Sequence, residues 1–109
     1  MMFDIFCIEK ILAEEKTVTR RIASNLNRRP AVPGHIHKLK VDRTPKTYGR
    51  IRITDCSLDF VGDIDDKEAI KEGFSSRREY IDYFMDINNI DMLNDYDLLW
   101  RIEFELLKD

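Results

Sequence analysis

The sequence predicts an α+β domain built on a mostly antiparallel β-sheet. Its 109 residues are enough for one domain, and a hydrophobic fraction of 43% supports a packed core rather than disorder. Segments with helical periodicity and segments with strand-like alternation follow one another along the chain. The connections between predicted strands are short, which favours antiparallel pairing over a doubly wound parallel sheet. We therefore expect residues 1–109 to form a single domain, with a curved sheet or small barrel flanked by helices.

Three helices are predicted from apolar spacing and from residues suited to helix ends. Residues 5–14 carry isoleucines at helical spacing, which is typical of a helix packed on a core. Residues 65–73 begin with two aspartates suited to an N-cap and end with a glycine, which predicts a short helix. Residues 75–88 begin with two serines, either of which can cap a third helix with an aromatic stripe.

The predicted strands follow from β-branched residues and from period-two alternation. Residues 16–21 contain three β-branched residues directly after the first helix. Residues 35–41 and 48–54 form two strands around a hairpin-like loop, and residues 57–64 are expected to extend the second of them. Residues 98–107 give the clearest strand, with one apolar face and one mostly charged face. Together these segments supply the antiparallel sheet.

The net charge of -3 is small because two long segments carry opposite charges that cancel, while residues 1–15 carry -3. Residues 16–52 carry a net charge of +10, and residues 53–109 carry -10. A basic segment makes a polyanionic or nucleotide-like partner a reasonable hypothesis.

No apolar run is long enough for a membrane helix, the start of the chain has no secretory pattern, and Cys7 and Cys56 form no disulfide framework. We therefore expect a cytoplasmic protein without a membrane partner.

The densest group of polar residues is the run KTVTRR, residues 16–21. Lys16 and Thr19 can meet only if the chain turns between them, and a helix-to-strand junction supplies such a turn. One interpretation is the basic start of a surface strand. The other is an anion or nucleotide site in which Lys16 and Arg21 are hydrogen-bond donors. Spacing alone leaves both open.

Several segments together resemble the ASCH domain, a relative of the PUA fold. They are LAEEKTVTRR, a VPGH before a strand, GRIRIT, EAIKEGFSSRREYIDYF and LLWRIEFELL, and they span nearly the whole chain. The two most specific pieces are the K-T-x-T-x-R run and the E-G-F that precedes a helix with an aromatic stripe. The resemblance implies a small, mostly antiparallel β-barrel flanked by helices, with a cleft associated with RNA or nucleoside binding.

One enzymatic branch of that family, the bacterial acetylcytidine amidohydrolases, removes an acetyl group from the exocyclic amine of cytidine. The resemblance implies catalytic roles for Lys16, Thr19 and Glu72, and Arg21 matches an arginine of the same run. In this chemistry Lys16 would take the proton of Thr19, and Glu72 would shuttle protons or hold the substrate amine. Arg20 departs from the similar enzymes, which carry an apolar residue there. We expect no metal and no cofactor.

Cations outside the implied catalytic set predict a basic surface beside the KTVTRR run. We expect RNA or a nucleotide to contact Arg20, Arg21, Arg28, Arg29, Lys38, Lys40, Arg50 and Arg52. Pairing of these cations with the acidic half of the chain is the alternative.

The leading functional hypothesis is an RNA- or nucleotide-binding domain, and an amidohydrolase acting on a modified cytidine nucleoside is the second. A third is a protein-interaction domain that pairs basic with acidic faces head to tail. We expect the protein to be a monomer or a weak homodimer. Binding of RNA predicts a steep dependence on salt through the outer cations, such as Arg28 and Lys38. A nucleoside hydrolase would instead depend on Lys16 and Glu72.

Overall fold

The computed structural model describes residues 1–108 of the chain. Its helices are α1 (Ile5–Leu12), α2 (Asp66–Lys71) and α3 (Arg77–Ile87), with a short 3₁₀ helix at Val61–Asp63. Its strands are β1 (Val18–Ile22), β2 (Ile36–Lys38), β3 (Arg50–Phe60) and β4 (Leu98–Leu107). No helix in residues 1–108 is long and apolar enough to cross a membrane.

The four strands form one antiparallel sheet in the order β1-β4-β3-β2. The sheet curls into a half-barrel, and a register irregularity between Ile53 and Asp55 bends β3 where it pairs with β4. The predicted α+β class with an antiparallel sheet is therefore confirmed. The barrel does not close, because β1 and β2 lie at opposite edges and do not pair with each other.

Both faces of the sheet are covered, each by its own apolar cluster. On one face, Ile102 and Trp100 of β4 pack with α1 through Ile8 and Ile11. On the other face, Leu99 packs in a second cluster with side chains of α2 and α3. The sequence predicted only one apolar face for β4, and that prediction is incomplete because two helices shield the second face around Leu99.

Helix ends agree with the predicted capping residues. The Asp65 side chain accepts a hydrogen bond from the Glu68 N–H, and the Ser76 side chain accepts one from the Glu79 N–H. The first helix ends at Leu12, two residues earlier than predicted, because Glu14 has a positive φ of 60°.

Two strand predictions need correction in their lengths. Strand β2 spans Ile36–Lys38 and not 35–41, although Leu39 continues to exchange backbone hydrogen bonds with Tyr48 and Gly49. Strand β3 does extend beyond residue 54, but it ends at Phe60. The last part of the predicted extension is a 3₁₀ helix, whose chain direction is fixed by hydrogen bonds from Val61 and Gly62 to the loop before β4.

Candidate functional site

A cavity lies between the edge strand β1 and helix α3, and we call it the β1–α3 cavity. Its enclosed volume is about 90 Å³, and it measures about 440 Å³ when the open mouth is included. Three side chains implied as catalytic line it: Lys16, Thr19 and Glu72. Arg20, Arg21 and a wall of aromatic side chains from α3 complete most of the lining. Residues that are distant in sequence therefore converge on one concave site.

Lys16 and Glu72 form a buried ion pair at the floor of this cavity. Lys16 Nζ lies 2.6 Å from Glu72 Oε1, and the two residues are 3% and 1% exposed. Lys16 Nζ also donates to the carbonyl oxygens of Val18, at 2.8 Å, and of Glu72, at 3.3 Å. Three acceptors match the three N–H groups of an ammonium. Each N–H group of Lys16 therefore has an acceptor within the fold.

Backbone contacts hold the two partners of this ion pair together. The Thr17 N–H donates to the Lys71 carbonyl at 2.8 Å, which ties the start of β1 to the end of α2. Glu72 is the C-cap residue of α2 and lies one residue after that contact. The helix end therefore directs the Glu72 side chain toward Lys16 without a long flexible loop between them.

Gly73 allows the chain to leave α2 in the direction that this site requires. Its φ is +95°, a conformation that residues with a side chain rarely adopt. A Cβ at this position would lie 2.8 Å from Lys10 Cδ. Lys10 fills that space because its ammonium donates to the Gly73 carbonyl and lies over the rings of Phe6 and Phe74. Helix α1 thereby clamps the segment that carries Glu72.

Thr19 presents a hydroxyl that is not engaged in the fold. The residue is 6% exposed and lines the cavity, yet its Oγ1 makes no hydrogen bond within residues 1–108. Arg20 Nε is the one buried side-chain nitrogen or oxygen without a partner in that described part, so Thr19 Oγ1 retains contact with solvent. The hydroxyl lines the same cavity as the buried ion pair and is free to bond to a ligand there.

Arg20 is enclosed by carboxylates and does not lie on the predicted basic surface. Its guanidinium contacts Glu72 Oε2 at 3.1 Å, Glu68 Oε1 at 2.6 Å and Asp59 Oδ2 at 3.1 Å. Burial lowers the pKa of Arg20, but the Glu72 charge and the hydrogen bonds to Glu68 and Asp59 raise it above its ordinary value overall. Its side chain is thus a structural cation that anchors Glu72 from the side opposite Lys16.

The network around Arg20 continues across the sheet through Glu68. Arg101 of β4 lies 2.6 Å from Glu68 Oε1, and Lys71 lies 3.2 Å from Glu68 Oε2. Burial raises the pKa of Glu68, but hydrogen bonds from Arg101, Arg20 and Lys71 outweigh it and lower the pKa to about 2. The carboxylate of Glu68 therefore remains ionised and bridges β1, β4 and α2.

Arg21 lies on the opposite face of β1 and has a different environment. It lines the cavity, donates to the Met2 carbonyl at 2.7 Å and lies 4.9 Å from the centre of the Phe3 ring. No carboxylate of residues 1–108 forms an ion pair with it. Burial lowers its pKa, and the nearby Cys7 and Glu72 offset that effect only in part.

Sequence reasoning missed two tyrosines that border the site. Tyr80 is 2% exposed, and burial, together with the Glu72 charge, raises the pKa of its hydroxyl well above the ordinary value. Tyr83 donates a hydrogen bond to Asp4 and lies 3.1 Å from Cys7 Sγ. Burial and the hydrogen bond to Asp4 raise the pKa of Tyr83, so it remains a neutral phenol. The aromatic spacing on α3 indicated core packing but not these polar contacts.

The predicted basic surface is present in part. Strands β2 and β3 do pair, and Lys38 stands opposite Arg50 on the outer face. Arg52 lies 3.1 Å from Glu105 of β4, so the acidic half of the chain neutralises part of this face. Arg28 and Arg29 are exposed in the loop after β1. Arg20 belongs to the buried network instead, because α2 covers its face of β1.

No group of three His, Cys, Asp or Glu side chains that could hold a metal ion occurs within residues 1–108. Histidines 35 and 37 lie at the start of β2, near the exposed edge of the sheet. Burial lowers the pKa of His37, with smaller contributions from the terminal amine and His35. Neither histidine lines the β1–α3 cavity, so this pair is not part of the candidate site.

Three solved structures are similar to this fold. The ASCH domain from Lactobacillus crispatus JV V101 is 18% identical with a TM-score of 0.67, covering 93% of this chain and 70% of that one. A protein from Enterococcus faecalis V583 is 13% identical with a TM-score of 0.70, covering 92% of this chain and 66% of that one. The hypothetical protein PH0355 is 18% identical with a TM-score of 0.66, covering 98% of this chain and 96% of that one.

These similarities show the fold of the chain, and they do not show its function. The chain has an ASCH-like domain fold, as the sequence resemblance implied. No protein-family model matches the chain, and no curated protein matches it. Because one fold hosts several activities, the function must be argued from the site itself.

Proposed function

We propose that this ASCH-like domain hydrolyses an amide on a small nucleobase-type ligand, such as an acetylated cytidine. The observation that supports this most strongly is the buried Lys16–Glu72 ion pair, at 2.6 Å, on the same cavity as the unbonded Thr19 hydroxyl. A purely structural ion pair does not require a cavity or a free hydroxyl beside it. An ion pair that transfers protons to and from a reacting group requires access to that group, which a cavity provides.

The proposed reaction begins with attack of Thr19 Oγ1 on the amide carbonyl carbon, and the hydroxyl proton passes to the Glu72 carboxylate. The C–N bond then breaks, and the leaving amine takes a proton from the Lys16 ammonium. Transfer of the proton from Glu72 to Lys16 restores the ion pair. Glu72 is the proton acceptor because the Lys16 ammonium has no lone pair, whereas each carboxylate oxygen of Glu72 keeps a second acceptor site beyond its bond to Lys16 or Arg20.

In the second half of the reaction, water hydrolyses the acyl ester on Thr19. Glu72 takes one proton of the water as its oxygen attacks the ester carbon, and the same proton then returns to the departing Thr19 oxygen. The acid is released, and the side chains regain their starting state. This scheme needs only an amide and water, so its atoms balance with groups already described.

The size of the cavity limits what enters it. Its enclosed volume of about 90 Å³ is well below the roughly 300 Å³ of common small-molecule pockets. Only the acyl amide and the adjoining ring edge fit inside, and the rest of the ligand lies toward the mouth. The aromatic walls from α3, Tyr80 and Phe84 among them, suit a flat heteroaromatic ring.

The direct experiment is incubation of the purified protein with N-acetylcytidine, with release of cytidine followed by chromatography. We expect turnover by the natural protein and a loss of at least about a hundredfold in Glu72→Gln, since general acid–base groups contribute about 10² to 10⁴. The glutamine keeps the size of the side chain and removes its ability to accept the proton.

Glu105→Gln is the matched control, because Glu105 is exposed on β4 and its one ion pair within residues 1–108 is with Arg52. We expect its turnover to match the natural protein. Urea unfolding of both variants checks that they remain folded. Undiminished turnover in a folded Glu72→Gln protein would contradict the proposed chemistry, as would the absence of turnover in the natural protein.

RNA or nucleotide binding without catalysis is the second candidate, and the exposed cations favour it. Arg28, Arg29 and Lys38 form no ion pair within residues 1–108, so these charges are available to phosphates. A binding domain of this kind should lose affinity for an oligoribonucleotide steeply as salt increases. It should also lose affinity in Arg28→Gln combined with Arg29→Gln. The amidohydrolase proposal predicts that this double variant hydrolyses acetylcytidine at the natural rate.

A further inference from the structure

We propose that the ligand of the β1–α3 cavity is a nucleotide rather than a neutral nucleoside, and that Arg21 and Lys40 bind its phosphate. This inference rests on the proposed function for the position of the base, and it adds the chemical class of the remainder of the ligand. It starts from a cation at the cavity that forms no ion pair with a carboxylate of residues 1–108.

Arg21 is that cation. Its side chain is half-buried and lines the cavity, but its only hydrogen bond within residues 1–108 goes to the neutral Met2 carbonyl. Its neighbour Arg20 has three carboxylate partners. Partial burial of a charge without a counter-ion is costly, and an anionic ligand at the cavity would offset that cost. The remaining N–H groups of Arg21 can receive an anion.

Lys40 places a second cation beside the same segment. Met2, whose carbonyl accepts from Arg21, forms a β-bridge with Lys40, and the Phe3 N–H donates to the Lys40 carbonyl at 2.9 Å. Lys40 is half-buried, and its ammonium has no carboxylate partner within residues 1–108. Arg21 thus contacts this segment through its guanidinium and Lys40 contacts it through its backbone, and residues 2 and 3 form one border of the cavity.

Two cations fit a phosphate better than a neutral sugar. A phosphate monoester is close to a dianion at neutral pH and accepts hydrogen bonds from a forked guanidinium and a point-like ammonium together. The Lys16–Glu72 pair is internally neutral and would not attract that charge. The base end and the phosphate end of a mononucleotide therefore find different partners along one cavity.

The experiment compares cytidine with cytidine 5′-monophosphate by calorimetric titration of the purified protein at low salt. We expect the nucleotide to bind at least about tenfold more tightly than the nucleoside, with the difference shrinking as salt increases. In Arg21→Met the preference should fall to about twofold or less, and Arg21→Lys should retain part of it. Arg43→Met is the matched control, because Arg43 is exposed in the loop after β2 and should leave the preference unchanged.

Equal affinities for the two compounds in the natural protein would overturn the proposal, and so would a preference that survives in a folded Arg21→Met protein. Tighter binding of an oligoribonucleotide than of the mononucleotide would also overturn it, in favour of an RNA surface. Binding is measured without turnover. A protein that prefers the nucleotide but never hydrolyses acetylcytidine would therefore refute the proposed reaction and leave the phosphate site standing.

Discussion

Arg20 and Arg21 are adjacent in sequence and alike in chemistry, yet the two faces of β1 give them opposite environments. Arg20 stands opposite Arg101 on the face covered by α2, where it meets Asp59, Glu68 and Glu72. Arg21 points to the other face, beside Phe3, and meets no carboxylate of residues 1–108. Strand alternation places the two side chains, and the acidic residues of one helix decide which of them is neutralised.

This difference separates a structural cation from one that is available to a ligand. The charge of Arg20 is satisfied within the fold, and removing it would leave three carboxylates facing one another. The charge of Arg21 is held in position by a carbonyl and an aromatic ring, neither of which cancels it. The predictions below test the first of these environments, from the largest expected effect to the smallest.

Arg20→Met should be the most damaging change to the fold. It leaves Glu72 with Lys16 alone and removes the shared partner of Glu68 and Asp59. Breaking a buried ion pair by removing one partner costs about 3–5 kcal/mol. Urea unfolding should show this loss, whereas the exposed pair of Arg52 with Glu105 should cost only about 0–1 kcal/mol in Arg52→Met. Equal costs for the two variants would contradict the contrast drawn here.

Gly73→Ala should follow, and Gly34→Ala is its matched control. Both glycines have a φ above +90°, so alanine at either position costs about 1–2 kcal/mol in backbone strain. Only Gly73 has a close neighbour, Lys10 Cδ at 2.8 Å, and relieving that overlap adds roughly 1–3 kcal/mol. The free energy of unfolding should therefore fall further for Gly73→Ala. If the two variants lose the same stability, the clamp from Lys10 does not constrain this turn.

Glu68→Gln should have a smaller effect at neutral pH, about 1–3 kcal/mol, and a characteristic pH dependence. The folded-state pKa of Glu68 is lowered from 4.5 to about 2. Its stabilisation is therefore complete above pH 4.5 and is lost as the pH falls toward 2. In a series of urea unfolding curves, the natural protein should lose more stability than Glu68→Gln across this range. Parallel losses in both proteins would show that Glu68 does not carry this ionisation effect.

Much of the fold could be predicted from the sequence because local patterns determine it. Alternation in β4 and capping by Asp65 and Ser76 need only residues close in sequence, and the structure confirms them. The burial of Leu99 could not be predicted from local patterns, because it depends on helices α2 and α3, which are distant in sequence. The bridge between Met2 and Lys40 likewise joins residues that are distant in sequence.

The same limit applies to the candidate site: local sequence identified some of its residues but not their environment. Residue types and spacing, with the family resemblance, were enough to single out Lys16, Thr19 and Glu72, which do line one cavity. The resemblance marked Arg20 as a departure and Arg21 as a match, but it did not predict that carboxylates neutralise Arg20 and leave Arg21 without an ion pair within residues 1–108. The environments of Arg20 and Arg21 differ because folding places Glu68 and Glu72 beside Arg20 alone. The run KTVTRR contains no local pattern that predicts this placement.

The most direct test of the central claim, that the β1–α3 cavity is a catalytic site built on a free hydroxyl, is hydrolysis of N-acetylcytidine by Thr19→Val and Thr17→Val. Thr17 is exposed and contributes backbone hydrogen bonds alone, so its variant makes the same chemical change outside the cavity. We predict that Thr19→Val loses turnover by at least about a hundredfold, while Thr17→Val stays close to the natural rate. Equal turnover in the two folded variants would contradict the claim.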